Sequence, residues 1–364
     1  MAKPRIRGIV LAGAYQWGES PFDTLLPRPL VPVALTPLIV YALRWLVEGG
    51  VSQATICVNS AARAVRDYLD GGAALPLELD YLEDWLPRGT AGCVRDAGLG
   101  TDGDIFVIAD GTAVPVGAVR GLLETHHVSR AALTILAHHD PDYRAFGATP
   151  LSPSGVYLCD RRVLEMIPEA GFFDIKEGLI PRLHRAGERV VTHTGYGACP
   201  RAVNAASYLA LNEWMTEWIA QQPGRLPGYE LRGQTVVHPS AVVHPSARVL
   251  GPVLLGPGVE IQAGATIIGP ATIGEGSRIE RNAVVARTVT WRDCIVEEEA
   301  LVDRCLLADG AVVRAGESLF SALKVRKPGK RRRLAALFGR DRRRRDVQTA
   351  TRLASPVPQR TGSA

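Results

Sequence analysis

The chain has 364 residues, 46% hydrophobic and 22% charged, with six cysteines that form no CxxC pair. Those totals describe a globular chain long enough for two domains and exclude a disulfide framework or a zinc ribbon. No apolar run reaches the roughly 18 residues of a transmembrane helix, and no signal-peptide stretch is recognisable, so a cytoplasmic location is expected.

The net charge of +5 is a composite. Residues 324–364 hold 14 of the 42 Lys/Arg and two of the 37 Asp/Glu, which leaves 28 basic against 35 acidic residues, net −7, over residues 1–323. The basic character therefore belongs to a tail and marks no nucleic-acid-binding face on the folded body.

In chain order, the pattern predicts a strand over 5–12, breaking at Gly13 into a long loop. A first strand, a loop and then a helix is where α/β proteins bind nucleotide phosphates. A helix follows over 36–48, with Pro37 in its first turn and Gly49-Gly50 as its stop. Strands are predicted over 53–58 and 77–81, and a helix over 61–69. Residues 87–98, PRGTAGCVRDAG, read as a glycine-broken loop running into a helix. A strand over 104–109 ends at Asp110-Gly111, followed by a helix over 116–127 and a strand over 131–137. This alternation predicts a mostly parallel, Rossmann-like sheet covered by helices, with Asp110 just beyond a strand's carboxyl end, on the ligand-binding side.

From Thr235 the chain divides into hexads, TVVHPS, AVVHPS, ARVLGP, VLLGPG, VEIQAG, ATIIGP, ATIGEG, SRIERN and AVVART. Their third position is Val237, Val243, Val249, Leu255, Ile261, Ile267, Ile273, Ile279 and Val285. Such a repeat predicts a parallel β-helix whose interior is an aliphatic ladder. Trp291 is read as continuing that ladder, with a slip of register after it. His238 and His244 head His-Pro-Ser corners and are read as corner residues, not metal ligands. The pairs His126-His127 and His138-His139 are assigned surface or capping roles.

These motifs together resemble the sugar-nucleotide pyrophosphorylases, most closely the mannose-1-phosphate guanylyltransferase-like members, over about residues 5–320. The markers are IVLAG at 9–13, PRPLVPV at 27–33, TPLIVYAL at 36–43, PRGTAG at 87–92, VIADG at 107–111, GVYLCDRRVLEMIP at 155–168 and FDIKEGLIPRL at 173–183. The resemblance implies a nucleotidyltransferase domain over 1–222 and a left-handed parallel β-helix of hexapeptide repeats over 233–320, and the charge run leaves a separate basic, disordered tail over 324–364. The family joins a sugar 1-phosphate to a nucleoside triphosphate and releases pyrophosphate, chemistry that needs cations, phosphate-facing amides and a held Mg²⁺.

Carried over residue by residue, Leu11, Ala12 and Gly13 open the base site, and Gly89 and Thr90 belong to the loop against the nucleoside. Arg28 stands in place of the family's Pro-Lys-Pro lysine, and Asp110 in place of its first metal-binding Asp. Two departures stand out. The family's GGxGTRL-type loop reads Gly13-Ala14-Tyr15-Gln16-Trp17-Gly18-Glu19, with Gly18 where the Arg belongs, and no Arg or Lys lies between Arg7 and Arg28. The second metal-binding Asp aligns with Arg201, and no acid occurs between Val190 and Leu211. Asp110 alone implies weak Mg²⁺ binding.

The resulting expectation is a catalytically impaired homologue that binds a nucleotide or nucleotide sugar and serves a partner as a regulatory or scaffolding subunit. The family contains such a type, the alpha subunit of GDP-mannose pyrophosphorylase. An active enzyme with a rearranged site and a purely structural assembly module are the alternatives. Homo- or hetero-oligomers through the β-helix are expected. The tail is either a solubilising extension or a contact for anionic membrane, nucleic acid or an acidic protein. Trp17 is expected to pack into the former triphosphate site.

Overall fold

The computed structural model describes residues 4–13, 25–59, 62–70, 75–84, 86, 88–139, 151–195, 202, 204–222, 224 and 226–326. Trp17, Gly18, Glu19, Arg201 and the tail from Lys327 lie outside them.

The α/β region runs β1 (Ile6–Leu11), β2 (Pro32–Val33), β3 (Thr36–Pro37), α1 (Leu38–Glu48), β4 (Gln53–Val58), α2 (Ala62–Asp70), β5 (Glu78–Glu83), α3 (Gly89–Leu99), β6 (Ile105–Asp110), α4 (Val119–Ser129), β7 (Leu133–His139), β8 (Leu151–Asp160), α5 (Arg161–Leu164), α6 (Ile180–Arg185), β9 (Val190–Gly195) and α7 (Ala205–Gln221). Seven of the strands form one sheet in the order β5-β4-β1-β6-β8-β7-β9. β8 runs antiparallel to β6 and β7, and the remaining pairs are parallel. β4 and β6 are buried along nearly their whole length, as strands covered on both faces must be.

Three local readings are corrected by the structure. The helix predicted from Thr36 begins at Leu38, because Thr36-Pro37 pairs back onto Pro32-Val33 as a hairpin. Pro37 is thus the residue before the helix, with φ −58° and ψ 141°, not a first-turn residue. The glycine-broken stretch at 87–98 is already helical from Gly89. Gly98 is in this helix because of close packing: a Cβ there would lie 2.5 Å from Leu164 Cδ1. Asp110 is the last residue of its strand, not one beyond it.

The histidine assignments change as well. His126 is buried, with Nδ1 2.8 Å from Thr134 Oγ1 and Nε2 3.1 Å from Asp160 Oδ1, so it ties α4 to the sheet instead of capping at the surface. His138 is also buried, within β7. His238 and His244 do shape corners: their Nδ1 atoms lie 2.7 and 2.9 Å from the hydroxyls of Ser240 and Ser246. Those hydroxyls accept the amides of Gly258 and Gly264 on the next coil.

The hexads build a left-handed parallel β-helix with three sheets as its faces, parallel except where Glu230–Arg232 pairs antiparallel with Thr235–Val237 at the start of one. Coils stack with an 18-residue offset at first, Val249 on Ile267 on Val285. From the pair Thr272–Val289 onward the offset is 17. The missing residue lies between Val285 and Thr290, so the slip precedes Trp291. Thr290 takes the interior position and Trp291 faces outward. A hydroxyl is tolerated inside because Thr290 Oγ1 accepts the Gly274 amide at 2.9 Å. The rest of the interior cluster is apolar, aliphatic apart from Cys294 and Cys305.

α7 lies along one face of the β-helix. Leu211, Met215 and Ile219 pack with Val236, Leu254, Val289, Trp291 and Leu306, and with Val31, Val33 and Leu38 of the α/β region. The described residues up to Arg326 consequently form one packed unit.

Candidate nucleotide site

After β1 the chain moves to β4 and β5 on one side, then crosses to β6 on the other. The carboxyl edge between β1 and β6 is therefore the point where the winding direction reverses, the usual ligand crevice of such sheets. Leu11 and Asp110 are register partners in the β1–β6 pair, so two predicted site residues stand side by side there. Gly111 completes the contact by donating its amide to the Leu11 carbonyl at 2.9 Å, while Ala12 donates to Cys57 at 2.8 Å. Gly13 follows Ala12 on the same edge, where, among the described residues, a Cβ would meet only Asn59 Nδ2, at 3.6 Å. Asp110 Oδ1 accepts the Thr112 amide at 2.9 Å and its hydroxyl at 2.6 Å, which fixes the carboxylate's rotamer.

Gly89 and Thr90 reach this edge from the other side. α3 packs against β1 and β4, burying Ala91 and Val94 with Ile9 and Cys57. Gly89 has φ +73°, and a Cβ on it would lie 2.6 Å from the Phe173 carbonyl oxygen, so only glycine fits. That same carbonyl accepts the amides of Ala91 and Gly92 at 3.0 and 3.2 Å. The amides of Gly89 and Thr90, in the first turn of α3, have no intrahelical acceptor and sit at the positive end of the helix dipole.

Several residues here escaped the sequence reading. Thr90 Oγ1 donates to Asp174 Oδ2 at 2.8 Å and accepts the Ile175 amide at 2.9 Å. Asp174 also accepts the Lys176 amide at 2.7 Å, capping the π-helical turn Ile175–Leu179. An Asp just before an apolar run was a legible cap signal. Arg88 donates to the Pro168 carbonyl at 2.9 Å and pins the neighbouring loop. Asp84 Oδ2 accepts the Arg88 amide at 3.2 Å and the Cys93 thiol at 3.1 Å, and nothing in the sequence pointed to that meeting. Burial, with the Asp84 contact second, pushes the Cys93 thiol up to about 12, so it is no nucleophile.

Arg28 lies in a 3-10 turn, Arg28–Leu30, just ahead of the β2–β3 hairpin. α1 starts after this hairpin and ends where β4 begins, so the turn belongs to the carboxyl side of the sheet. Among the described residues no group of three or more His, Cys, Asp or Glu side chains could hold a metal. Asp110 is a single carboxylate donor, which suits a Mg²⁺ ion that keeps its waters and is carried in on phosphates.

Comparison with known proteins agrees with this fold. Residues 8–164 match the nucleotidyl transferase family, and residues 252–287 match the bacterial transferase hexapeptide family of six repeats. Residues 8–164 thus carry a nucleotidyl transferase domain, similar to that of the sugar-nucleotide pyrophosphorylases. The chain is 23% identical over 277 residues to the mannose-1-phosphate guanylyltransferase of Mycobacterium tuberculosis, covering 70% of this chain and 76% of that one. A glucose-1-phosphate thymidylyltransferase of Streptomyces griseus is 29% identical over 156 residues, 42% of this chain and 43% of its own length. The chain thus spans less than half of the Streptomyces relative. A Bacillus anthracis crystal structure assigned as a glucose-1-phosphate thymidylyltransferase superposes with a TM-score of 0.50 at 18% identity, covering 57% of this chain and 94% of that one. That similarity carries the fold alone. Among the described residues, no helix is long and apolar enough to cross a membrane.

Proposed function

We propose that this chain binds a purine or pyrimidine nucleotide, or the corresponding nucleotide sugar, at the β1–β6 edge, and that its catalysis is impaired. The observation that carries the reading is the contrast between the two halves of the site. Support for nucleoside contact comes from Leu11-Ala12-Gly13 abutting Gly111 and Gly89-Thr90 held against Phe173 and Asp174. The phosphate side is poor in cations, since the 20 residues from Gly8 to Pro27 hold no Lys or Arg and include Glu19 and Asp23. A carboxylate beside a triphosphate is repulsive, and a site lacking cations gives little stabilisation of the leaving pyrophosphate.

In this reading Arg28 supplies the one cation of the Pro-Arg-Pro segment, and Asp110 orients a Mg²⁺ that arrives with the nucleotide. When bound, that ion neutralises charge on the phosphates. The protein's role is then regulatory or scaffolding, toward an active partner of sugar-nucleotide metabolism, in homo- or hetero-oligomers formed through the β-helix. The exposed Leu250 and Ile268, register partners on one outer face, support such association, with the exposed Phe320 further along the same column beyond Ala286 and Asp303. The basic tail is read as an extension for anionic surfaces. Asp110 at the strand end favours one alternative, an active nucleotidyltransferase with a rearranged phosphate loop.

Titration calorimetry with GTP, dTTP and GDP-mannose, paired with a pyrophosphate-release assay in Mg²⁺, separates these. Binding without turnover, weakened by Arg28→Gln, is the expected result. Turnover above the no-enzyme blank that disappears in Asp110→Ala establishes the active alternative. No binding of any nucleotide overturns both.

A further inference from the structure

The segment Pro27–Pro37 has four prolines at 27, 29, 32 and 37, each lacking an N–H. It can make few backbone hydrogen bonds of its own, so its shape depends on what others offer. Three side chains supply the deficit. Tyr41 Oη donates to the Val33 carbonyl at 2.8 Å. Asn212 Oδ1 accepts the Ala34 amide at 2.9 Å, and its Nδ2 donates to the Tyr208 carbonyl at 3.0 Å. Tyr208 Oη donates to the Pro32 carbonyl.

Tyr208 is in turn held from the β-helix. The Trp291 indole N–H donates to Tyr208 Oη at 2.8 Å, and the two rings meet edge to face at 6.5 Å. An indole nitrogen can only donate, so it occupies an acceptor site of the hydroxyl and directs the single Tyr208 proton to Pro32. Both rings are buried, where a chain of aligned hydrogen bonds is mutually reinforcing. Trp291 reaches Tyr208 only because the repeat loses one residue just before it. At the regular spacing, six after Val285, it would fill the helix interior; the 17-residue coil puts Thr290 there and turns Trp291 outward. From Pro32 the restraint runs back through the Val31 amide, which donates to the Arg28 carbonyl at 3.1 Å.

We propose that Trp291 is a positioning residue for the Arg28 turn: the β-helix sets the shape of the Pro-Arg-Pro segment through Tyr208, and so tunes phosphate affinity in the α/β region. The affinity half of this inference rests on the nucleotide-site reading above; the restraint itself does not.

The test uses the full chain, with Trp291→Phe and, as a control of comparable disruption inside the β-helix, Ile267→Ala. Backbone hydrogen exchange over residues 28–36 is followed first. Trp291→Phe is expected to speed it about tenfold, the effect of one lost buried hydrogen bond, while β1 and β6 keep their protection and Ile267→Ala leaves 28–36 unchanged. In calorimetry with GTP, Trp291→Phe is expected to weaken binding by a similar factor, and to add little to Arg28→Gln in the double variant. Unchanged exchange at 28–36 in Trp291→Phe, or equal acceleration in Ile267→Ala, overturns the restraint. Wild-type exchange differences without any GTP binding in any variant overturn the nucleotide-site reading and leave the restraint standing. Additive losses in the double variant overturn the link to Arg28.

Discussion

At the scale of single residues, the site edge is held by contacts that tolerate little change. Gly89 combines a left-handed φ with a carbonyl where its Cβ would be. Gly89→Ala is expected to cost about 2 kcal/mol from backbone conformation alone, plus the displacement of Phe173. Chemical denaturation measures the first part, and loss of the Thr90–Asp174 contact should appear as faster exchange at Ile175. Asp160 offers a pH signature. Partial burial pulls its carboxyl pKa upward, but hydrogen bonds and charge from His126 and Arg162 outweigh that and hold it below the ordinary carboxylate value. A depressed folded-state pKa means the stabilisation is present above the unfolded value, about 4, and is lost as pH falls through the folded value. Asp160→Asn should therefore be less stable than the parent at pH 6 and converge with it below pH 4. A gap that stays constant across that range contradicts the assignment.

At the scale of elements, the β-helix corners explain which irregularities cost stability. The left-handed corner column reads Gly264, Asn282, Glu299, Gly316, with φ of +71°, +56°, +59° and +67°. Glycine and asparagine suit that conformation and glutamate does not. Glu299 is exposed, so Glu299→Gly removes strain without uncovering apolar surface, and about 1 kcal/mol of stabilisation is expected, read as a raised thermal midpoint. The β2–β3 hairpin shows the opposite choice. Ala34 and Leu35 occupy both positive-φ positions of a two-residue turn, at +45° and +69°, where Asn-Gly is the relaxed pair. Its neighbours Tyr41, Tyr208 and Asn212 hold it there. The hexad period was legible because it is a local regularity repeated many times. The 17-residue coils were not placed correctly, because one missing corner residue changes the facing of everything after it, and only stacking reveals where the loss falls.

At the scale of the whole molecule, α7 makes two regions behave as one. Its buried face is shared between the hairpin segment and the β-helix, with Trp291, Tyr208 and Pro32 in one hydrogen-bonded chain. Thermal unfolding followed by far-ultraviolet dichroism and by tryptophan fluorescence should give one coincident transition for the folded body. Two resolved transitions would mean that the α7 interface couples the regions only weakly.

Resemblance to a known family pointed to Leu11, Gly13 and Gly89, whereas the strand and helix alternation, the aliphatic ladder and the place of Asp110 near a strand's carboxyl end were legible in the amino-acid order itself. The latter three depend on periodicity or on the end of a buried strand, and those are properties of neighbours in the chain. Tertiary structure decided the rest: Thr90 with Asp174, Tyr208 with Pro32, Trp291 with Tyr208 and Ala34 with Asn212, separated by 84, 176, 83 and 178 residues. Such pairs leave no local pattern, because each side chain answers a buried donor or acceptor that only folding brings to it.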